Sequence, residues 1–145
     1  MSIHPTAVID PGAQIGSGVA IGPYCIIGAQ VSIGPDCWLQ NHVTVCGPVR
    51  IGAGNRFHAF CSIGQQTQDL KYAGEPTYLE IGEGNCFREF VTVNRATAAG
   101  SVTRVVIGAI SWPTAISRMI AWWKTTLFFQ ITAPWQATFW FRTMR

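Results

Sequence analysis

Large apolar residues recur at every sixth position through the first half of the chain, and this period restricts the folds open to it. Stepping by six from residue 3 gives eleven such residues without a break: Ile3, Ile9, Ile15, Ile21, Ile27, Ile33, Leu39, Val45, Ile51, Phe57 and Ile63. Neither a helix, with about 3.6 residues per turn, nor the simple alternation of a strand has this period.

The period is typical of a solenoid in which each hexad forms one short strand and one turn. The every-sixth residue then points inward and stacks on its equivalent one coil away, because a single coil cannot bury its own apolar face. Glycines such as Gly16 and Gly52, which directly follow the apolar residue, are expected at sharp turns with positive φ. A β-sandwich with regular turns is the alternative, and the unbroken register disfavours it. The sequence therefore predicts an all-β parallel β-helix over residues 1–105.

The register is interrupted after Ile63 and then resumes in phase. Ile81 lies three hexads beyond Ile63, and Phe87 and Val93 follow at the same spacing. We therefore expect residues 69–80 to leave the coil as a loop and to return in phase. Loops carried on a rigid scaffold are a frequent location of binding and catalytic residues.

The loop and two flanking segments resemble the UDP-N-acetylglucosamine O-acyltransferases of lipid A biosynthesis. The loop reads Gln68-Asp69-Leu70-Lys71-Tyr72-Ala73-Gly74-Glu75-Pro76-Thr77, and the flanks read Ile3-His4-Pro5-Thr6-Ala7 and Val91-Thr92-Val93-Asn94-Arg95. The resemblance covers residues 3 to about 105. It implies a left-handed parallel β-helix, a cytoplasmic homotrimer with sites between subunits, and transfer of a 3-hydroxyacyl group from acyl carrier protein to UDP-N-acetylglucosamine. The related N-acyltransferases of the same pathway are the weaker match, because their substrate loop differs.

The resemblance further implies that Gln68, Asp69 and Lys71 contact substrate, with Asn94 as an additional candidate. A carboxylate can accept hydrogen bonds from sugar hydroxyls, and an ammonium group can bind phosphate. The structural alternative for Asp69 and Lys71 is a solvated ion pair.

No cofactor and no metal site is expected. The three histidines, His4, His42 and His58, are not spaced as ligands of one metal, and packed or structural roles are the simpler interpretation. The five cysteines have no metal-site spacing and are expected to be free, mostly buried thiols in a reducing compartment. Residues 1–104 carry six basic and seven acidic residues, so the basic excess comes from the remainder and does not indicate a nucleic-acid partner.

Residues 106–145 are compositionally unlike the repeat. They contain nine Trp and Phe residues and no acid, and the every-sixth aliphatic pattern is lost. A reading frame shifted by one base near residues 104–106 explains this. Trp and Phe codons begin with T, and a shift of one base makes each such T the middle base of a codon. A T in the middle position always encodes an apolar residue, so the six-residue apolar register would continue in the shifted frame. In the shifted frame residues 116–121 permit His-Ile-Ala-His-Asp-Cys, the stretch that holds the general base of the family.

The chain as written is therefore expected to be a truncated β-helix with an aberrant tail. It has no histidine after His58, so the general base that would accept the proton of the sugar hydroxyl is missing. We expect no acyltransferase activity from it. The alternative is a non-catalytic scaffold whose aromatic tail contacts a membrane, although Pro113 and Arg118 interrupt any apolar span.

Overall fold

The computed structural model describes residues 2–106 and the strand Ile110–Ser111, which together form a three-sided parallel β-helix. Consecutive strands belong to different sheets, so each coil adds one strand to each of three parallel sheets. None of the described residues lies in a helix. Accordingly, within the described ranges no helix is long and apolar enough to cross a membrane.

In the part of the chain that the structure describes, sixteen short strands build the three sheets. The first sheet contains β1 (Ser2–Ile3), β4 (Ala20–Ile21), β7 (Trp38–Leu39), β10 (Arg56–Phe57), β13 (Cys86–Phe87) and β16 (Ile110–Ser111). The second contains β2 (Val8–Ile9), β5 (Ile26–Ile27), β8 (Thr44–Val45), β11 (Ser62–Gln65) and β14 (Thr92–Asn94). The third contains β3 (Gln14–Ile15), β6 (Val31–Ile33), β9 (Val49–Ile51), β12 (Tyr78–Ile81) and β15 (Val102–Val105).

The every-sixth residues fill the interior, as the register predicts. Ile3 pairs with Ile21, and Ile21 pairs with Leu39, so one coil takes three hexads. From Ile21 to Val93 these side chains are almost fully buried, whereas Val105 is partly buried and Ile3, in the first described coil, is 41% exposed. The stacked apolar column removes its side chains from water and is the main source of stability in this fold.

A second inward position lies two residues before each every-sixth residue, because side chains alternate along a strand. It holds small side chains, including Val19, Val43 and three of the five cysteines, Cys25, Cys37 and Cys61. Their burial agrees with the expectation of mostly buried free thiols. Burial raises the pKa of Cys61 to about 11, so its thiol stays protonated at neutral pH.

Two buried asparagines, Asn55 and Asn85, occupy this second position in adjacent coils. The Asn55 amide donates to the carbonyls of Gly52 and Gly82 at 2.8 Å each, and its Oδ1 accepts the Asn85 backbone N–H at 2.9 Å. The Asn85 side chain donates to the same oxygen at 3.0 Å. Side-chain hydrogen bonds thus reinforce two turns that are also joined by the backbone bond from the Gly84 N–H to the Ala53 carbonyl, at 3.0 Å.

The glycines after the apolar residues serve a different purpose from the one expected. Gly16 and Gly34 do not have positive φ. A Cβ at Gly16 would meet the carbonyl carbon of Gly34 at 2.7 Å, and a Cβ at Gly34 would meet that of Gly52 at the same distance. Close approach of stacked turns, and not the φ angle, therefore requires glycine at these positions.

Among the described residues, positive φ occurs at six glycines, including the turn residues Gly18 and Gly54, and at six residues other than glycine, four of which share one corner of the coil: Tyr24, His42, Phe60 and Phe90. We call these four the aromatic corner. Each ring packs on the next, with centroid distances of 5.1, 4.9 and 5.2 Å. All four side chains are exposed, so one ridge of the β-helix presents a continuous row of rings to its surroundings.

Two insertions leave the coil, where the register predicts one. The first insertion, residues 66–77, lies between β11 and β12. Part of the segment expected as a loop, 69–80, is strand, because Leu79 pairs with Val49 and is buried in the core. The second insertion, residues 95–101, lies between β14 and β15. The six-residue pattern does not reveal the second insertion. Val93 and Val105 are two whole hexads apart, whereas a coil without an insertion would place the corresponding residues one hexad apart.

The strand β16 continues the first sheet beyond residue 105, with Phe87 paired to Ser111. The rest of the predicted aberrant tail, residues 107–109 and 112–145, lies outside the described residues, as does the proposed membrane-contacting segment.

Candidate functional site

The first insertion presents Gln68, Asp69 and Lys71 together on one exposed turn. The Asp69 N–H donates to the hydroxyl of Thr67 at 3.2 Å, and the Asp69 Oδ1 accepts the Lys71 N–H at 3.0 Å. The Tyr72 N–H donates to the Asp69 carbonyl at 3.1 Å. This is an Asx-type turn, in which the carboxylate fixes the backbone that carries the lysine.

The remainder of the first insertion is held by Tyr72 and Glu75. The Tyr72 hydroxyl donates to the Glu75 carbonyl at 3.0 Å, and the Glu75 carboxylate accepts the Ala73 N–H at 2.9 Å. Hydrogen bonds from backbone N–H groups, including its own and that of Ala73, lower the pKa of Glu75. The insertion therefore has internal structure, although most of its residues are exposed.

Asn94 lies at the root of the first insertion and not on its turn. It pairs with Gln65, the last residue of β11, and the Arg95 N–H donates to the Gln65 carbonyl at 2.9 Å. Its Oδ1 is buried without a hydrogen-bond partner, and so are the Arg95 Nε and the Thr77 Oγ1. Buried polar atoms are seldom left unpaired, so the two on the neighbouring residues Asn94 and Arg95 are consistent with a site that takes water or a polar ligand.

The second insertion lies against the first, and sequence reasoning missed it. The Thr97 and Thr67 hydroxyls are 2.9 Å apart, and the Gly100 N–H donates to the Pro76 carbonyl at 2.8 Å. The Tyr78 N–H donates to the Ser101 carbonyl at 3.0 Å. Hydrogen bonds thus join the two insertions into one surface feature beside β11 and β12.

His42 and His58 are packed against neighbouring side chains, whereas His4 is exposed and its Nδ1 lies 2.9 Å from the Thr6 hydroxyl. His42 lies between Tyr24 and Phe60 in the aromatic corner. His58 lies between Glu89, 3.5 Å from its Nδ1, and the Cys86 sulfur, 3.6 Å from its Nε2. Burial and the nearby Arg88 lower the pKa of His58, so the ring is neutral at neutral pH. Within the described ranges no three His, Cys, Asp or Glu side chains are grouped to hold a metal ion.

A groove of about 600 Å³ lies near the amino-terminal end of the first sheet, beside the aromatic corner. Its lining includes His4, Tyr24, Trp38, Gln40 and His42, and none of the four predicted substrate-contacting residues. We take the insertions as the candidate site, because they bring together the exposed charged groups and the unpaired polar atoms.

Comparison with known proteins agrees with this architecture. The family described as bacterial transferase hexapeptide (six repeats) matches residues 1–34 and 30–65. An acyl-[acyl-carrier-protein]–UDP-N-acetylglucosamine O-acyltransferase of Akkermansia muciniphila is 57% identical over 103 residues, which are 71% of this chain and 40% of that protein.

The solved structures that resemble this chain include UDP-N-acetylglucosamine acyltransferases as well. LpxA from Acinetobacter baumannii has a TM-score of 0.74 and 48% identity, covering 76% of this chain and 43% of that one. LpxA from Bacteroides fragilis, a UDP-N-acetylglucosamine acyltransferase, has a TM-score of 0.72 and 40% identity, covering 74% and 42%.

The fold and its matches define a left-handed hexapeptide-repeat β-helix of the bacterial transferase class, which confirms the predicted fold. Within that class, residues 3 to about 105 are a segment of the UDP-N-acetylglucosamine O-acyltransferase family. The chain spans 40% of the length of the curated relative that it matches.

Proposed function

We propose that this chain is part of a cytoplasmic acyltransferase that moves a 3-hydroxyacyl group from acyl carrier protein to UDP-N-acetylglucosamine. The observation that carries the proposal is the first insertion, whose decapeptide matches the family and whose Asp69–Lys71 turn is exposed and ordered by hydrogen bonds. The 57% identity over 103 residues supports the same assignment.

In this proposal the exposed turn binds the nucleotide sugar. Lys71 contributes positive charge toward the diphosphate, and Asp69 and Gln68 accept or donate hydrogen bonds at the sugar hydroxyls. Asn94 offers its unpaired Oδ1 as an acceptor at the root of the insertion. None of these groups removes the proton from the attacking hydroxyl, a role that belongs to a histidine absent from this reading frame.

The chain as written is accordingly proposed to be inactive, and a frame restored near residues 104–106 is proposed to be active. The test incubates both purified chains with a 3-hydroxyacyl-[acyl carrier protein] and UDP-N-acetylglucosamine, and measures acylated product. We expect product from the restored frame only. Turnover by the chain as written would contradict the proposed inactivity, and no turnover by the restored chain would contradict the proposed activity.

The role of the turn is tested in the restored chain. Asp69→Asn and Lys71→Ala should each lower kcat/KM about tenfold or more, the effect of losing one charge-assisted hydrogen bond. Glu83→Gln is the matched control, because Glu83 is an exposed acid on a different turn. Equal effects at Asp69 and Glu83 would show that the turn has no special part in substrate binding.

We further propose that the chain assembles as a homotrimer with the aromatic corner in the subunit contact. Tyr24, Phe60 and Phe90 are 58%, 48% and 67% exposed, and ring stacking aligns them along one ridge. An ordered apolar ridge on the outside of a solenoid is typical of a surface that another protein covers.

A further inference from the structure

We propose that Thr97, acting through Thr67, is a positioning residue that sets the conformation of the Asp69–Lys71 turn. What the turn binds rests on the function proposed above. The positioning itself rests on a separate observation, a continuous series of hydrogen bonds that runs from the second insertion into the first.

The series has three links. The Thr97 and Thr67 hydroxyl oxygens are 2.9 Å apart, the Asp69 N–H donates to the Thr67 hydroxyl at 3.2 Å, and the Lys71 N–H donates to the Asp69 carboxylate at 3.0 Å. A hydroxyl has one proton and two acceptor sites. The Thr67 oxygen can therefore accept from the Asp69 N–H and also share one proton with Thr97, with either hydroxyl as the donor, and the two contacts together hold the Thr67 hydroxyl in place.

Thr97 is held in place independently of the turn. The second insertion is anchored before it by the Arg95 N–H on the Gln65 carbonyl of β11, at 2.9 Å, and after it by the Ser101 carbonyl, which accepts the Tyr78 N–H of β12 at 3.0 Å. Both threonine side chains are partly buried, whereas Asp69 and Lys71 are exposed. The better-anchored segment therefore orders the more exposed one.

The consequence for binding is preorganisation. A turn held in one conformation before the ligand arrives loses less conformational entropy when it binds. The Asp69 carboxylate is part of the series, so its orientation toward a sugar hydroxyl depends on the Thr67 hydroxyl two residues earlier. Thr97 touches no substrate in this scheme and acts only through Thr67 and the turn.

The experiment compares Thr97→Val, which removes the hydroxyl and keeps the shape, with Thr97→Ser, which keeps the hydroxyl. Two quantities are measured on the full chain: backbone amide exchange at Asp69 and Lys71 without ligand, and the Kd for UDP-N-acetylglucosamine. We expect Thr97→Val to speed exchange at both amides and to raise the Kd about five- to tenfold, the effect of one neutral hydrogen bond. Thr97→Ser should restore both values. Thr92→Val, on the exposed side of β14, is the matched control and should change neither.

A double-mutant cycle separates positioning from general stability. If Thr97 acts through Thr67, the Thr67→Val and Thr97→Val changes should not add, and the double variant should match the worse single one. Thr67→Val alone tests the same link should Thr97→Val fail to fold. Additive effects would overturn the proposal, as would unchanged amide exchange at Asp69 and Lys71, or faster exchange throughout β11 and β14. Failure of the unaltered chain to bind the nucleotide sugar, with exchange responding as expected, would instead overturn the proposed function and leave the positioning intact.

Discussion

Phe57 and Phe87 stack face to face in the centre of the β-helix, with ring centroids 4.8 Å apart and an interplanar angle of 1°. They are paired across adjacent coils, although the sequence between them includes the first insertion. Neither side chain is exposed. The first insertion is thus carried outside the coil, while the core continues without a break from one coil to the next.

Replacing either ring should destabilise the coil beneath the candidate site. Phe57→Ala removes a fully buried aromatic side chain, and we expect the free energy of unfolding to fall by about 3–5 kcal/mol. Urea denaturation followed by far-ultraviolet circular dichroism measures this. The control is Leu70→Ala, because Leu70 is fully exposed in the first insertion and its loss should change stability by about 0.5 kcal/mol or less. Similar losses for both variants would show that the ring stack is not the core.

Asn55 should be as important to stability as an apolar core residue. Asn55→Ala leaves the Gly82 carbonyl and the Asn85 N–H without this partner, while the Gly52 carbonyl keeps only the Cys37 thiol at 3.1 Å, and each unpaired buried group costs about 1–3 kcal/mol. We expect a loss of about 3 kcal/mol or more in the same denaturation experiment. Asn41→Ala is the control, since the hydrogen bond of Asn41 to His42 is exposed to water. A loss at Asn55 no larger than that at Asn41 would contradict the assigned role.

These two sites show which parts of the fold the sequence can predict. The six-residue period identifies Phe57 and Phe87 as inward residues, because both are large, apolar and in register. It does not identify Asn55 and Asn85, because their inward position accepts any small side chain and a polar residue there resembles a surface residue until its hydrogen bonds are seen. The hydrogen bonds of these asparagines to turns one coil away form only when the coils stack, so the six-residue pattern does not show them.

The candidate site likewise contains some residues that the sequence predicts and one that it does not. Gln68, Asp69 and Lys71 were predicted from the decapeptide, and the structure places them on one exposed turn. Thr97 was not predicted, because the second insertion preserves the register and so gives no break in the pattern. Its contact with Thr67 depends on how two insertions fold back against each other, for which a single sequence contains no periodic indication.

The five thiols should differ in reactivity according to burial. Burial raises the pKa of Cys25 and Cys37, and raises that of Cys61 to about 11, so these three thiols are protonated and enclosed. Cys46 and Cys86 are only partly buried. We expect iodoacetamide at pH 8 to label Cys46 and Cys86 first, and the other three only after unfolding, as followed by peptide mass spectrometry. Labelling of Cys61 at the rate of Cys86 would contradict the buried position of Cys61.

Stability should decrease as the pH falls through the range in which His58 takes up a proton. Burial, then Arg88 and Arg56, lower the pKa of His58 from 6.5, and Glu89 only partly opposes them. The folded chain therefore binds fewer protons at His58 than the unfolded chain, so this contribution is fully present above pH 6.5 and is lost as the pH falls below it.

The measurement is the free energy of unfolding between pH 7.5 and pH 5. His58→Gln should make the dependence on pH shallower, because glutamine does not titrate in this range. His4→Gln, in the exposed first coil, is the control and should leave the slope unchanged. An unaltered slope in His58→Gln would assign the dependence to other groups.

The aromatic corner should determine whether the chain assembles. Phe60→Ser and Phe90→Ser each remove one ring from the middle or the end of the exposed row, and we expect each to weaken self-association at least tenfold, as buried aromatic residues at interfaces commonly do. Sedimentation equilibrium over a range of concentrations measures this, with a shift from trimer toward monomer as the expected result. Tyr78→Ser is the control, because Tyr78 is 41% exposed on the third sheet, away from the corner. A trimer that tolerates both phenylalanine changes would place the subunit contact on another face, and a monomeric unaltered chain would contradict the proposed assembly itself.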